Sequence, residues 1–314
     1  MLPTICPYYL KAITPEELSS EHVIPDALGG PSKFSVNAYK KPNNEYGLGL
    51  DARFINDDLM RAAAAHYKIK TRSGNAHVSI QGILTYKKNN ISAAIEHLWG
   101  GVLKIHPRVP VVVEHLGDGF LKIHPRIPVV VIDNGYEIIA DHQNFEKLLK
   151  TTLKNNAAKG ISLQTVNVHS PHGSFLGRIS HSTLTKTLGL VKIGYLALAY
   201  TFGDKFLNSK AGISFRKGLD SQNETDLNQS GLDNRRILFS SLEPTRSACH
   251  LIAAVCLDDF YGVYVSLFSE KVFTRQFSFP IGEQDLCTAE GLVYKVNAKA
   301  KTLNIEVFDP TLHI

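Results

Sequence analysis

The sequence predicts an α+β fold: a small N-terminal ββα unit ahead of a larger region of helices and antiparallel strands. Three observations lead there. Helical spacing is confined to two separated stretches, near residues 51–66 and 184–206. The segment from Ala248 to Val307 is dense in Val, Phe, Tyr and Leu, as paired strands are. Strands and helices show no regular alternation, which excludes a doubly wound parallel sheet. Changes of texture along the 314 residues mark three segments, 1–70, 71–235 and 236–314.

Composition narrows the class further. Hydrophobic residues make up 44% of the chain and charged residues 20%, which excludes a mostly disordered protein. No apolar run approaches the ~18–20 residues that cross a bilayer. The best one, Leu190 to Phe202, is interrupted by Lys192. Met1 to Leu10 lack the basic start and long apolar core of a secretion signal. Cys6, Cys249, Cys256 and Cys287 are too few and too scattered for a disulfide framework, and free thiols suit a reducing compartment. The expectation is a cytoplasmic chain without a membrane partner. A net charge of +5 and a pI of 8.9 permit a nucleic-acid partner without requiring one.

Taken in order, residues 1–50 are punctuated by Pro3, Pro7, Pro15, Pro25, Pro31 and Pro42, with Gly29, Gly30, Gly47 and Gly49. Such a segment reads as short strands and loops, without a long helix in its first forty residues. Asp51 is placed to cap a helix in which Ile55, Leu59 and Ala63 recur at a four-residue step. The middle holds a tandem repeat: His97 to Glu114 and His115 to Ile132 agree at thirteen of eighteen positions. Two copies are too few for a solenoid and predict two similar strands, Val111 to Val113 and Val129 to Val131. A sharper alternative makes His106, Arg108, His124 and Arg126 a repeated phosphate-contacting edge. Leu184 to Phe206 has helical spacing with Gly203 as its stop signal. Asp220 to Asn234 is polar and reads as a loop, and Gly262 to Phe268 and Lys271 to Phe277 read as paired strands.

The familiar cofactor motifs are missing: no G-x-G-x-x-G, no phosphate-loop lysine, no G-x-S-x-G and no H-E-x-x-H. His169, His172 and His181 have no acidic or cysteine companion at a metal-ligand interval and read as ordinary surface or packing residues. One segment carries a specific constellation, Glu21-His22-Val-Ile-Pro-Asp-Ala-Leu-Gly-Gly30 followed by Asn43-Asn-Glu-Tyr-Gly47. Glu21 and His22, adjacent at a strand end, point to opposite faces. Gly29-Gly30 permits a tight reversal, after which a second strand can return and a helix can start near Asn43. A hard cation held by Glu21 and Asn43 would accept phosphate oxygens as its remaining ligands. His22, free of the cation, could take a proton from water.

At these residues the chain resembles the HNH endonucleases, the ββα-metal nucleases, and among them members with a Glu-His-Ile-Ile-Pro-x-Ala-Leu-Gly-Gly signature followed by Cys-x-x-Cys-Asn-Asn-x-Phe-Gly. The likeness is strong over roughly the first sixty residues. It continues more weakly through Lys192 to Tyr200 with Phe215-Arg216, and through Val263 to Phe268. The resemblance implies that His22 is the general base, Glu21 a metal ligand and Asn43 the closing metal ligand, with Asn37 corresponding to the Asn that orients the base. It implies Mg²⁺, or Mn²⁺, as the cofactor, and DNA ahead of RNA as the partner; a homodimer is compatible with it. Lys40 and Lys41, beside Asn43, could contact phosphates, or form a solvated charged turn.

The chain departs from the family in its cysteines. Where relatives carry two Cys-x-x-Cys pairs that bind structural zinc, this sequence has Cys6-Pro-Tyr-Tyr9 and Tyr39-Lys-Lys-Pro42. A lone Cys6 cannot complete a four-ligand site, so no structural zinc is expected and packing by Tyr8, Tyr9, Tyr39 and Tyr46 must replace it. Two other readings compete with the nuclease: a catalytically inactive nucleic-acid-binding protein that kept the ββα shape, and a defence protein whose C-terminal part senses an effector with the nuclease as its output.

Overall fold

The computed structural model describes residues 3–71, 182–223, 248–257, 260–281 and 290–309, and between 72 and 181 it describes the strands alone. The class is α+β. The chain divides into two compact units, Met1–Ala76 with His181–Ile314, and His77–Ser180. The segment expected as 71–235 is thus shared: its middle forms a unit of its own, and its helices after residue 181 belong with both chain ends.

The first unit opens with a turn over Cys6 to Leu10, closed by a bridge between Ile5 and Ala12. Strands β1 (Leu18–His22) and β2 (Ser35–Tyr39) pair antiparallel, with Leu18 opposite Tyr39 and His22 opposite Ser35. Helix α1 (Lys40–Tyr46) follows β2 directly and runs through a π turn (Gly47–Asp51) into α2 (Ala52–Ile55). Helix α3 (Asp58–His66) comes next. Asp51 is therefore not a cap. It has helical φ and ψ inside a continuous run, and the cap falls to Asp57, whose carboxylate accepts from the Leu59 and Met60 amides. Pro42, which reads as a breaker, lies in the first turn of α1, where a missing N–H has no intrahelical partner to lose. Strands β3 (Lys70–Thr71) and β4 (Gly74–Asn75) form a short hairpin.

Among the described residues the second unit contains strands β5 (Val78–Tyr86), β6 (Asn89–His97), β7 (Leu103–Pro107), β8 (Glu114–Leu116), β9 (Gly119–Leu121), β10 (Val129–Ile132), β11 (Gly135–Ile138) and β12 (Ser174–Gly177). Four of them form an antiparallel sheet in the order β12-β5-β6-β7, and β8-β9 and β10-β11 are separate hairpins. Val129 to Val131 fall within β10, and His106 lies in β7 opposite Ala94. Val111 to Val113, Arg108, His124, Arg126, His169, His172 and His181 lie outside the described residues.

Back in the first unit, helix α4 (Thr183–Asn208) is capped by Ser182 and buried along nearly its whole central length. Apolar all round over that length except for Lys192, it is a core element rather than an amphipathic surface helix. Gly203, at φ +61° and ψ −142°, kinks this helix instead of ending it. Helix α5 (Lys210–Ser221), capped by Ser209, extends into the segment that reads as a loop; residues 224–234 lie outside the described residues. Strands β13 (Cys249–Leu257), β14 (Phe260–Ser266), β15 (Thr274–Pro280), β16 (Glu290–Asn297) and β17 (Thr302–Val307) form one antiparallel sheet in the order β15-β14-β13-β16-β17. Among the described residues no helix is long and apolar enough to cross a membrane.

Helix α4 packs between this sheet and the N-terminal hairpin. Phe34, from the loop before β2, sits 4.6 Å from the ring of Tyr294 and 5.0 Å from that of Tyr200. Gly189 lets α2 come close, since a Cβ there would lie 2.5 Å from the Phe54 ring. Cys6 and Cys249 are free thiols. Cys256, by contrast, is disulfide-bonded, so the expectation of free thiols throughout does not hold at that position.

His250 is fully buried in β13 and bridges two turns. Its Nε2 lies 2.8 Å from the Leu28 carbonyl, and its Nδ1 accepts from the Phe268 amide at 3.1 Å. This pattern requires the neutral ring, with the proton on Nε2. Burial pushes its pKa down to about 4, with the Leu28 carbonyl opposing. The unfolded ring titrates near 6.5, so the stability contributed by neutral His250 is complete above that value and is lost as pH falls toward 4. Denaturant unfolding at pH 5 should give a stability about 2 kcal/mol lower than at pH 7 from this group. A folded His250→Gln variant should lack that part of the slope; an unchanged slope would contradict the assignment.

Candidate functional site

The pleat of the hairpin decides what each signature residue can reach. Glu21 is buried, opposite Val36, on the face that also carries Ser19 and Ala38. His22 is half-buried at the end of β1, and alternation sends it to the other face. Asn37, exposed and opposite Ser20, shares the face of His22. Asn43 belongs to the Glu21 face: its Nδ2 donates to Ser19 Oγ at 2.7 Å and to the Ser20 carbonyl at 3.2 Å, strapping α1 to β1. Lys40 donates to the Glu16 carbonyl at 2.6 Å, and Lys41 is exposed at the start of α1. The hairpin and helix thus bring Asn43 to β1 beside Glu21 and leave His22 with Asn37.

The rest of the signature is packing. Val23, Ile24 and Leu28 are buried, and a short 3₁₀ turn over Asp26–Leu28 ends at Gly29 with φ +89°. A Cβ on Gly29 would lie 2.2 Å from the Ala298 carbonyl oxygen, so the turn is docked on the β16–β17 connection. Lys301 pairs with Asp26 at 2.6 Å, and Lys33 donates to the Leu303 carbonyl at 3.2 Å.

The two segments aligned with the zinc-binding pairs of the resembled nucleases also meet. Cys6 Sγ accepts from the Tyr39 amide at 3.4 Å, and the rings of Tyr9 and Tyr39 are 5.6 Å apart. Cys6 and Pro42 are buried. Packing and one N–H···S contact occupy the junction.

The sequence reading missed the group that sits on Glu21. Lys192, on α4 and only 3% exposed, places Nζ 2.7 Å from Glu21 Oε1 and 2.6 Å from Asp51 Oδ2. The Tyr46 ring lies 5.4 Å from the ammonium, and Tyr8 stacks on Tyr46 at 4.5 Å. Tyr46 in turn donates to Asp220 at 2.7 Å. Glu21 Oε2 and the Tyr8 hydroxyl are buried with no third polar group on either of them, and the Tyr8 hydroxyl favours the charged form of Glu21. Burial drives the Glu21 carboxyl upward, Lys192 pulls it back, and the Asp51 charge adds to the rise. Burial acts to lower Lys192, but the two carboxylates outweigh it and hold the ammonium above its ordinary value. The available signal was the lysine that interrupts the apolar run of α4. A charge inside a buried helix needs an opposite charge from elsewhere in the fold.

This donor set does not fit a divalent cation at Glu21 as the residues stand. One Glu21 oxygen already faces an ammonium, and Asn43 turns its Nδ2, which cannot ligate a cation, to Ser19 and Ser20 of β1. Among the described residues no group of three or more His, Cys, Asp or Glu gathers as a metal site. Comparison with known protein families, with characterised proteins and with solved structures found no match.

Two outcomes follow. Replacing Lys192 by Met leaves the buried Glu21 and the half-buried Asp51 without their cation and should cost about 3–5 kcal/mol in denaturant unfolding; a loss below about 1 kcal/mol would mean that the cluster is solvated. Elemental analysis of purified protein should find no stoichiometric structural zinc, and a strong chelator should leave the thermal midpoint unchanged. About one tightly held zinc per chain would show that other residues rebuild the site.

Proposed function

We propose that the chain is a phosphodiester hydrolase of the ββα nuclease type, acting on nucleic acid, with DNA as the preferred substrate. The observation that carries this reading is the hairpin β1–β2 running directly into α1, with Asn43 strapped to β1 beside the Glu21-His22 step. The meeting of Cys6 with Tyr39, where the resembled nucleases bind zinc, supports it independently.

In this reading His22 is the working group. Its neutral imidazole takes a proton from water as the oxygen attacks phosphorus. Asn37, on the same face of the hairpin, orients the ring, and Lys41 meets a flanking phosphate. The charge that develops on the phosphate needs a cationic partner. The resemblance assigns that part to Mg²⁺ or Mn²⁺, and no step is routed through Glu21, whose carboxylate faces Lys192.

The Lys192 contact favours a second reading, a nucleic-acid-binding protein that kept the ββα shape without the chemistry. A plasmid-nicking assay across Mg²⁺, Mn²⁺ and Zn²⁺ separates the two. The hydrolase reading expects cleavage that His22→Ala lowers by about 100-fold or more while DNA retention on a gel is kept. DNA retention without cleavage under every metal would establish the second reading. Full cleavage by His22→Ala would remove His22 from its role.

A further inference from the structure

We infer that the cation position at Glu21 belongs to Lys192, and that a divalent cation enters there only when the charge of Lys192 is removed. The inference concerns Glu21 and not His22, so it stands apart from the hydrolase reading.

The geometry is that of a cation site whose cation is covalently attached. The ammonium contacts one oxygen of Glu21 and one of Asp51 at 2.7 and 2.6 Å, with an aromatic face below it. Lys192 and Glu21 are each 3% exposed, so bulk water does not compensate their charges. A tethered ammonium has no translational freedom to lose on binding, whereas Mg²⁺ and Mn²⁺ must shed tightly held water to enter. The resident cation therefore wins while it is present.

The match is incomplete, and this is what gives the site its second occupant. Two carboxylates face one ammonium, which leaves one negative charge over. Glu21 Oε2 and the Tyr8 hydroxyl are buried in the same cluster, with no third polar group on either of them. Take the ammonium away, and what remains is Glu21, Asp51 and a phenolic oxygen: hard oxygen donors with two negative charges. That set suits a small divalent cation. Methionine at position 192 keeps much of the side-chain length and removes the charge.

The test is a titration of the full-length chain with Mn²⁺ alone, followed by the electron paramagnetic resonance of free Mn²⁺, with thermal midpoints measured in parallel. Wild type and Glu21→Gln should give the same binding curve. Lys192→Met should gain about one Mn²⁺ per chain and be stabilised by it, and the added Glu21→Gln change should remove both effects. If Lys192→Met does not fold, Lys192→Gln takes its place, and the comparison of wild type with Glu21→Gln still decides. Weakening of wild-type Mn²⁺ binding by about tenfold in Glu21→Gln would overturn the inference, as would a folded charge-free variant that binds no additional Mn²⁺. Cleavage is not read in this experiment, so failure of the hydrolase reading and failure of this inference are separate results.

Discussion

A lysine ammonium sealed inside a protein must be met by negative charge, and in this chain that requirement ties together three distant parts of the sequence. Lys192 comes from the central helix α4, Glu21 from strand β1, and Asp51 from the π turn between α1 and α2. Breaking one side of such a cluster strands the other charges in a medium that cannot solvate them. The ammonium therefore helps to hold the hairpin, and the helix after it, on α4. Tyr8 and Tyr46 close the cluster from the side, and Asp220 holds the hydroxyl of Tyr46 from α5.

The same physics separates the two halves of the Glu21-His22 step. One residue of strand sends Glu21 into the core and His22 to the opposite face, so the pair that looks like a single reactive unit in the sequence serves two purposes. Glu21 anchors the hairpin; His22 and Asn37 keep the half-open face. The eight residues after His22 mainly shape a turn that seats on the β16–β17 connection, through Gly29 against Ala298 and Asp26 against Lys301, and on β13, through the Leu28 carbonyl against His250. A signature of this kind reports a packed turn as much as a reaction.

Much of the architecture was legible because local rules act locally. The hairpin, the apolar helix around Lys192 and the pairing of β14 with β15 follow from strand texture, helical spacing and turn residues, although Lys271–Phe273, expected in the second of those strands, form a 3₁₀ turn ahead of it. Asp51 misled because an acidic residue before an apolar repeat looks like a cap, while the helix had already begun at Lys40 with Pro42 in its first turn. Gly203 misled because a left-handed glycine can bend a helix that tertiary packing then resumes. The division of the chain, with residues 77–180 set apart from a unit built from both ends, is a long-range property that texture does not encode. The Lys192 contacts are long-range too: the sequence shows a lone charge in an apolar run, but not which carboxylates answer it.

The most direct test of this account is a double-mutant cycle on Glu21→Gln and Lys192→Met, read by denaturant unfolding of the full chain at neutral pH. If the ammonium holds the hairpin to α4 through Glu21, the two changes are strongly coupled, by about 2–3 kcal/mol, because removing the carboxylate relieves part of the damage done by removing the ammonium. Simple additivity within about 0.5 kcal/mol would show that Glu21 and Lys192 do not depend on each other, and would contradict the account.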